Sequence, residues 1–179
     1  MTETVHAPAP RIVVVCGPSG SGKSTVGRAG AALAGAAFVE ADDHHSGEAR
    51  ARMAAGIGLT DAERAPWLDR VAAAVRALSA PRVVVACSAL NEAVRARLDA
   101  GLPSAPTYLL LDAPPDELAR RLASRAGHFA GESLLSSQLE ALRPEGVERL
   151  DATKPPAELA AAVAARLTTA STPGSPRTA

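Results

Sequence analysis

Aromatic side chains are nearly missing from this chain of 179 residues: one Trp, one Tyr and two Phe make up 2% of it. Nucleic-acid grooves interleave such rings with clustered cations, and no such stripe is present. An overall basic field is missing too, since 19 Lys and Arg face 19 Asp and Glu for a formal net charge of +0. A nucleic-acid partner is therefore not expected. Cysteine is scarce: Cys16 and Cys87 each end an apolar run, where a small buried thiol is the ordinary reading and a disulfide or metal pair is not. No apolar run reaches the roughly 20 residues that span a bilayer, and the N-terminus lacks a charged-then-apolar signal pattern, so a cytoplasmic location is expected. The length suits one domain with a core of its own, without disulfide or metal staples.

What the chain does contain is the stretch Gly17-Pro18-Ser19-Gly20-Ser21-Gly22-Lys23-Ser24-Thr25, directly after the apolar run Arg11–Cys16 and directly before the Ala-rich stretch Val26–Ala37. This is the G-x-x-x-x-G-K-[ST] pattern in its required context of strand, loop and helix. Gly17, Gly20 and Gly22 permit a tight turn whose backbone N–H groups face an anion. Lys23 adds a point charge between β- and γ-phosphates. Ser24 sets a hydroxyl on Mg²⁺ at a helix N-terminus, where the dipole also favours anions. A nucleoside triphosphate site is expected here, with Mg²⁺.

Along the chain, short apolar strands alternate with longer Ala/Leu/Arg stretches. Strands are expected at Arg11–Cys16, Ala37–Glu40, Arg82–Cys87, Thr107–Leu111 and, more weakly, Val147–Asp151. Helices are expected at Ser24–Ala34, Gly47–Ala55, Ala62–Ser79, Asn91–Asp99, Pro115–Arg125, Leu134–Leu142 and Pro156–Leu167. Near-continuous apolar strands in this alternation predict a five-stranded parallel sheet with helices on both faces, an α/β three-layer architecture. Residues 1–10 read as a loose leader, 11–167 as a single domain and 168–179 as a Ser/Thr/Pro-rich tail.

The second strand runs into Glu40-Ala41-Asp42-Asp43-His44-His45, at the carboxyl edge where open α/β sheets bind ligands. Asp42 and Asp43 are candidates to take a proton from an attacking hydroxyl; the competing reading is that one of them caps the helix beginning near Gly47. Adjacent His44 and His45 make a poor zinc pair. Thr60 or Asp61 is expected to cap the next helix, with Trp67 and Leu68 anchoring it. The third strand ends in Cys87-Ser88-Ala89-Leu90 without an aspartate, which argues against motor-type or GTPase-type machinery; Asp112 reads as a turn residue before Pro114-Pro115. Arg121 and Arg125 share a helical face before the Gly127-containing loop. That suits a mobile lid over about 121–143, against the plainer reading of a solvated arginine face.

The run from Gly17 to Pro144 resembles the gluconokinase family. The residues that carry the likeness are GPSGSGKSTVG at 17–27, Phe38 with Asp42 and His45, Met53 with Gly56, Leu59 and Asp61, and Arg64-Pro66-Trp67-Leu68. They continue with Cys87-Ser88-Ala89-Leu90 and Arg95, Arg121 to Phe129, Leu134-Leu135 and Ser137-Gln138. The resemblance implies a P-loop NTPase fold of the adenylate- and shikimate-kinase-like kind, and ATP-dependent phosphorylation of D-gluconate to 6-phosphogluconate. It implies Asp42 at the acceptor hydroxyl, with Arg64, Arg125 and His128 at substrate or phosphates. The candidate site comprises Lys23, Asp42 and Arg125 for catalysis, and Gly17, Ser19, Gly20, Ser21, Gly22, Lys23, Ser24, Thr25 and Arg121 for nucleotide. Asp42, His45, Arg52, Arg64, Ser88, Arg95 and His128 are assigned to the acceptor, and Ser24 to Mg²⁺.

Departures from the family gather on the acceptor side. Glu40-Ala41-Asp42 stands for Asp-Gly-Asp, Ser46 for Pro, Ala49 and Arg52 for Asn and Lys, Asn91 for Lys, and Arg143 for Glu. The expected partner is a small hydroxylated molecule, a sugar acid by resemblance. Another sugar acid, a polyol or a secondary metabolite stays open as acceptor, as do a nucleotide-binding regulatory protein without acceptor chemistry and a homodimeric assembly.

Overall fold

The computed structural model describes residues 8–124 and 129–169, with the side chains of 129–133 outside that description. Most of the expected leader and tail, together with Arg125 and His128, lies outside the described residues. Strands β1 (Arg11–Cys16), β2 (Ala37–Glu40), β3 (Arg82–Ala86), β4 (Thr107–Asp112) and β5 (Glu148–Asp151) form one parallel sheet in the order β2-β3-β1-β4-β5. The helices are α1 (Lys23–Ala34), α2 (Gly47–Ala54), α3 (Asp61–Arg76), α4 (Glu92–Gly101), α5 (Pro115–Ala123), α6 (Phe129–Ala141) and α7 (Pro156–Thr168). Among the described residues no helix is long and apolar enough to cross a membrane.

The valine runs are buried on both faces because successive side chains in a strand point to opposite sides. Ile12, Val14, Cys16, Val83, Val85 and Cys87 pack with Trp67, Leu68, Val71 and Val75 of α3 and Val94 and Leu98 of α4. Val13, Val15, Val84, Leu109 and Leu111 pack with Val26 and Ala31 of α1 and Leu159, Val163 and Leu167 of α7. Each such fully buried side chain contributes about 1.5–3 kcal/mol of apolar burial. Helices α1 and α7 approach closely: a Cβ on Gly30 would lie 2.6 Å from Val163 Cγ1 and 3.1 Å from the Ala160 carbonyl oxygen. Because all five strands are parallel, the chain leaves β1, β2 and β3 at one edge, and the segments starting at Gly17, Ala41 and Cys87 converge there.

The observed elements differ from the expected ones mainly at helix ends. Helix α6 begins at Phe129 rather than Leu134, five residues early; one glycine, Gly131, lowers helix propensity by only about 1 kcal/mol and does not stop a helix. Helix α3 stops at Arg76 rather than Ser79, where the Arg76 guanidinium donates to the Gly101 carbonyl. Asp112 closes β4 and is engaged by Arg149 of β5, which fits the end-of-strand reading.

Candidate active site

Gly17, Gly20 and Gly22 have φ of +144°, +83° and +94°, values that side chains other than glycine's rarely adopt. A Cβ on Gly17 would also meet Ser21 Oγ at 2.8 Å and the Leu111 carbonyl oxygen at 2.9 Å. This loop feeds α1, whose N-terminus is built unlike its neighbours'. Ser46, Thr60 and Asn91 cap α2, α3 and α4 with their side-chain oxygens, whereas Gly22 offers α1 none and no acid occupies its first turn. The first amides of α1 are thereby left for an anion. Lys23 Nζ donates to the Pro18 carbonyl at 3.1 Å, which holds the ammonium over the loop. Burial holds its pKa below the ordinary lysine value, and the fields of Asp42, Cys87 and Glu40 oppose that shift.

Asp42 sits in a 3₁₀ turn, Ala41–His44, immediately after β2. Neither it nor Asp43 caps α2, since Ser46 Oγ accepts from the Ala49 N–H at 3.2 Å. Freed from that duty and well exposed, Asp42 lines one cleft with Ser19, Gly20, Gly22, Lys23, Ser24 and Thr25. A cation, three hydroxyl-bearing residues and a carboxylate therefore line the same space.

A second pocket opens beside the first, walled by His45, Met53, Leu59, Arg64, Trp67, Ser88, Asn91, Leu134, Ser137 and Gln138. Its floor is an aromatic stack: the His45 ring lies 4.2 Å from that of Trp67 at 14°, and Trp67 Nε1–H donates to the Ala41 carbonyl at 2.6 Å. The His45 side chain is only 5% exposed, and among the described residues its buried Nδ1 has no partner. Nε2 stands 3.9 Å from Asp42 Oδ1, beyond hydrogen-bonding distance. Burial, more than the fields around it, holds His45 below the ordinary imidazole pKa, so the ring is neutral at pH 7. Arg64 is half-buried on the rim and donates to Asp61 Oδ1 at 2.9 Å.

The wall Ser88–Leu90 is held by three successive carbonyls. Ser88 O accepts from Gly17 N–H of the phosphate loop at 3.3 Å, Ala89 O from Arg95 at 3.4 Å, and Leu90 O from Arg143 N–H at 2.8 Å. Ala89 sits at φ +34°, the one described non-glycine residue at positive φ, a conformation costing on the order of 1–3 kcal/mol that these anchors sustain. Cys16 and Cys87 end β1 and follow β3 just beneath; burial pushes both thiols up to about 12, so neither is a nucleophile at neutral pH.

A third cleft lies on the other side of the phosphate loop, between Thr25, Val26, Arg121 and Ser124 and the segment Ala152–Pro156 after β5. Arg121 is fixed there, donating to Glu117 Oε1 at 2.6 Å and to the Ala152 carbonyl at 2.8 Å.

The family profile described as AAA domain matches residues 12–145, from β1 through the phosphate loop to just past α6. The thermosensitive gluconokinase of Escherichia coli K12 is 38% identical over 139 residues, 76% of this chain and 74% of that one. The gluconokinase of Arabidopsis thaliana is 33% identical over 154 residues, covering 78% and 82% of the two chains. This chain belongs to the gluconokinase family. The crystal structure of a gluconokinase from Sinorhizobium meliloti 1021 superposes with a TM-score of 0.76 at 39% identity, over 88% of this chain and 93% of that one. An APS kinase of Mycobacterium tuberculosis at 22% identity and TM-score 0.62 shares the fold.

Within this family fold, the residues expected from sequence do not all converge. Ser19, Gly20, Gly22, Lys23, Ser24, Thr25 and Asp42 line the phosphate cleft, while His45, Arg64 and Ser88 line the neighbouring pocket. Arg52 is drawn aside to Glu63, and Arg95 is buried among the carbonyls of Ala89, Arg143 and Glu145, so neither guanidinium is among the pocket's lining. Arg125 and His128 lie outside the described residues. Sequence reasoning missed two features. The cleft formed by Thr153, Lys154 and Pro155 had a signal available, its position at the carboxyl end of the last parallel strand. Gln138, whose Oε1 accepts from Ser19 N–H at 2.7 Å, had only its place in a motif.

Proposed function

We propose that this chain is an ATP-dependent carbohydrate kinase that phosphorylates D-gluconate at its terminal hydroxyl to give 6-phosphogluconate. The observation that carries the proposal is the junction of the two clefts: Asp42 faces Lys23 on one side and stands 3.9 Å from His45, a wall of the second pocket, on the other. In that arrangement ATP lies along the phosphate loop with its base toward Arg121 and Ala152–Pro156, and its γ-phosphoryl end points at Asp42. The acceptor occupies the neighbouring pocket with one hydroxyl at Asp42. The hydroxyl oxygen forms the new bond to the γ-phosphorus as the bond from that phosphorus to the bridging oxygen of ADP breaks, and Asp42 takes the hydroxyl proton. Lys23 and the uncapped amides of α1 stabilise charge on the phosphoryl oxygens. Arg125 and His128 keep the phosphate and substrate roles that the family likeness gives them.

The donor set suits Mg²⁺. Ser24 presents an exposed hydroxyl at the start of α1 beside Asp42, and among the described residues no three His, Cys, Asp or Glu cluster into a protein cage. An ion completed by phosphate oxygens and water has these hard oxygens as its partners. Ser24 would hold it directly, and its charge would offset that of the phosphates.

At the acceptor end, Arg64 is, among the described residues, the cation lining the pocket, beside the neutral His45 ring. Arg64 suits a carboxylate. Asn91, standing where the family likeness expects Lys, uses its side-chain oxygen to cap α4. Acceptor choice therefore rests heavily on Arg64. An acceptor panel with ATP tests the reading: gluconate and related sugar acids should be phosphorylated, and ADP release should require them. Neutral polyols outcompeting every carboxylate would transfer the assignment to another acceptor class, and ATP binding without any acceptor turnover would favour a regulatory nucleotide-binding protein.

A further inference from the structure

Gln138 reaches the phosphate loop from the wall of the acceptor pocket. It projects from α6, a helix anchored to α5 by Leu135, which packs on Leu118 and Leu122. Its Oε1 accepts from the Ser19 N–H at 2.7 Å across a sequence separation of 119 residues, and the same side chain forms part of the acceptor pocket's wall with His45 and Arg64. Ser19 also lines the cleft of Lys23 and Asp42. A backbone N–H can meet only the oxygen of a carboxamide. The Gln138 NH₂ is therefore left for another acceptor, and among the described residues no protein oxygen takes it. Just beyond α6 the Arg143 N–H donates to Leu90 O at 2.8 Å, and the preceding carbonyl but one, Ser88 O, is held by Gly17 of the phosphate loop. The roof over the acceptor and the loop under ATP are thus joined at both edges.

We infer that Gln138 is a positioning residue that couples the two: by holding Ser19 it sets the γ-phosphate end of the loop when α6 lies over an occupied acceptor pocket. The inference rests on the kinase reading above. ATP binding by the loop does not require Gln138, but alignment of the γ-phosphoryl group with the acceptor hydroxyl does. Gln138→Leu keeps the size of the side chain and removes the hydrogen bond. Transfer to gluconate should fall about ten- to hundredfold, the scale of leaving one amide unpaired. Equilibrium ATP affinity and acceptor-independent ATP hydrolysis should each stay within about threefold, so that the ratio of transfer to hydrolysis drops at least tenfold. A merely structural role would lower both rates together with the melting temperature. Gln138→Glu retains an oxygen for Ser19 and should hold that ratio within about threefold of wild type, even where its added charge weakens ATP binding. The inference is overturned by an unchanged ratio in a folded Gln138→Leu protein, or by a Gln138→Glu protein as uncoupled as Gln138→Leu. A wild type that hydrolyses ATP but transfers to no acceptor sinks the kinase reading and this role together; a wild type that transfers, with a Gln138→Leu protein equal to it, sinks this role alone.

Discussion

The two halves of the site are built by different means. On the nucleotide side, backbone does the binding: the loop 17–22 is fixed by positive-φ glycines, by the valine strands beneath it and by the α1–α7 contact at Gly30. On the acceptor side, side chains do it, and their supports are thinner. Helix α2 buries none of its residues, and Ala89 is held in a strained conformation by anchors from three elements. A site that must take triphosphate from a common pool gains from a rigid cradle made of groups that every sequence carries. The acceptor must be told from other hydroxylated molecules, and that requires particular side chains on elements able to close over it. Of the positions where the family likeness expects other residues, Asn91 lines the acceptor pocket, Ser46 caps α2, and Arg143 holds the Leu90 carbonyl of the pocket's wall.

Breaking the nucleotide half should have the largest effect. Lys23→Ala removes the cation held over the loop by Pro18, and turnover should fall roughly 10³–10⁵-fold, the scale of withdrawing a cation from a transferring phosphoryl group. Because the side chain faces the cleft rather than the core, the melting temperature should stay close to wild type. Steady-state rates and thermal unfolding on one preparation check this; near-wild-type turnover in a folded variant would sink the phosphate-loop assignment.

At the junction of the halves, Asp42→Asn keeps shape and removes basicity. Turnover should fall roughly 10²–10⁴-fold with nucleotide affinity little changed, the range of a positioned general base. Ser46 already caps α2, so a loss of stability is not expected to accompany it. Turnover within a few fold of wild type would move the base to Asp43 or Glu40.

Arg64→Ala sharpens the contrast on the acceptor side. The KM for gluconate should rise about ten- to hundredfold, the scale of one charge-assisted hydrogen bond, while the KM for ATP stays within a few fold. Equal shifts in both constants would show that Arg64 serves the fold rather than the carboxylate.

The same division governs what the sequence makes legible. The phosphate loop is a backbone device whose residue types are forced by geometry, so Gly17, Gly20, Gly22 and Lys23 announce it at fixed spacing in one contiguous stretch. The parallel sheet is equally legible, because strands buried on both faces read as uninterrupted valine runs. The acceptor pocket collects residues from His45 to Ala141 that only folding brings together. Nothing in the order of residues says that Ser46 rather than an aspartate caps α2, that Arg95 is consumed by three carbonyls, or that Arg52 turns to Glu63. Those outcomes are decided by competition among neighbours for the same donors. Gln138 shows this most clearly, since its partner Ser19 is 119 residues away.

The smallest expected effect is a dependence of stability on pH that belongs to the acceptor half. The phosphate loop itself carries no carboxylate or imidazole, whereas His45 is stacked on Trp67 with burial holding its pKa below the value of 6.5 usual for the free imidazole. Asp42 faces it and pulls the other way, while Arg50, Arg70 and Arg64 add to the lowering. With the folded-state pKa depressed, the unfolded chain binds more protons than the folded one once the pH falls below about 6.5, so the stabilisation present above that value is lost on acidification. The loss levels off when the pH passes below the folded-state pKa. Thermal unfolding of wild type and His45→Asn between pH 7.5 and 5.5 isolates this contribution from the other histidines, which both proteins share. The wild type should lose more of its melting temperature across that window, by a margin under about 4 °C, the scale of 1 kcal/mol in a chain of this size. Saturating the acceptor pocket with gluconate should widen the margin if the ligand binds the neutral ring, because binding then lowers the folded-state pKa further. Identical slopes for the two proteins would mean that His45 is as free to protonate in the fold as out of it, and the closed, side-chain-built character of the acceptor half would lose its support.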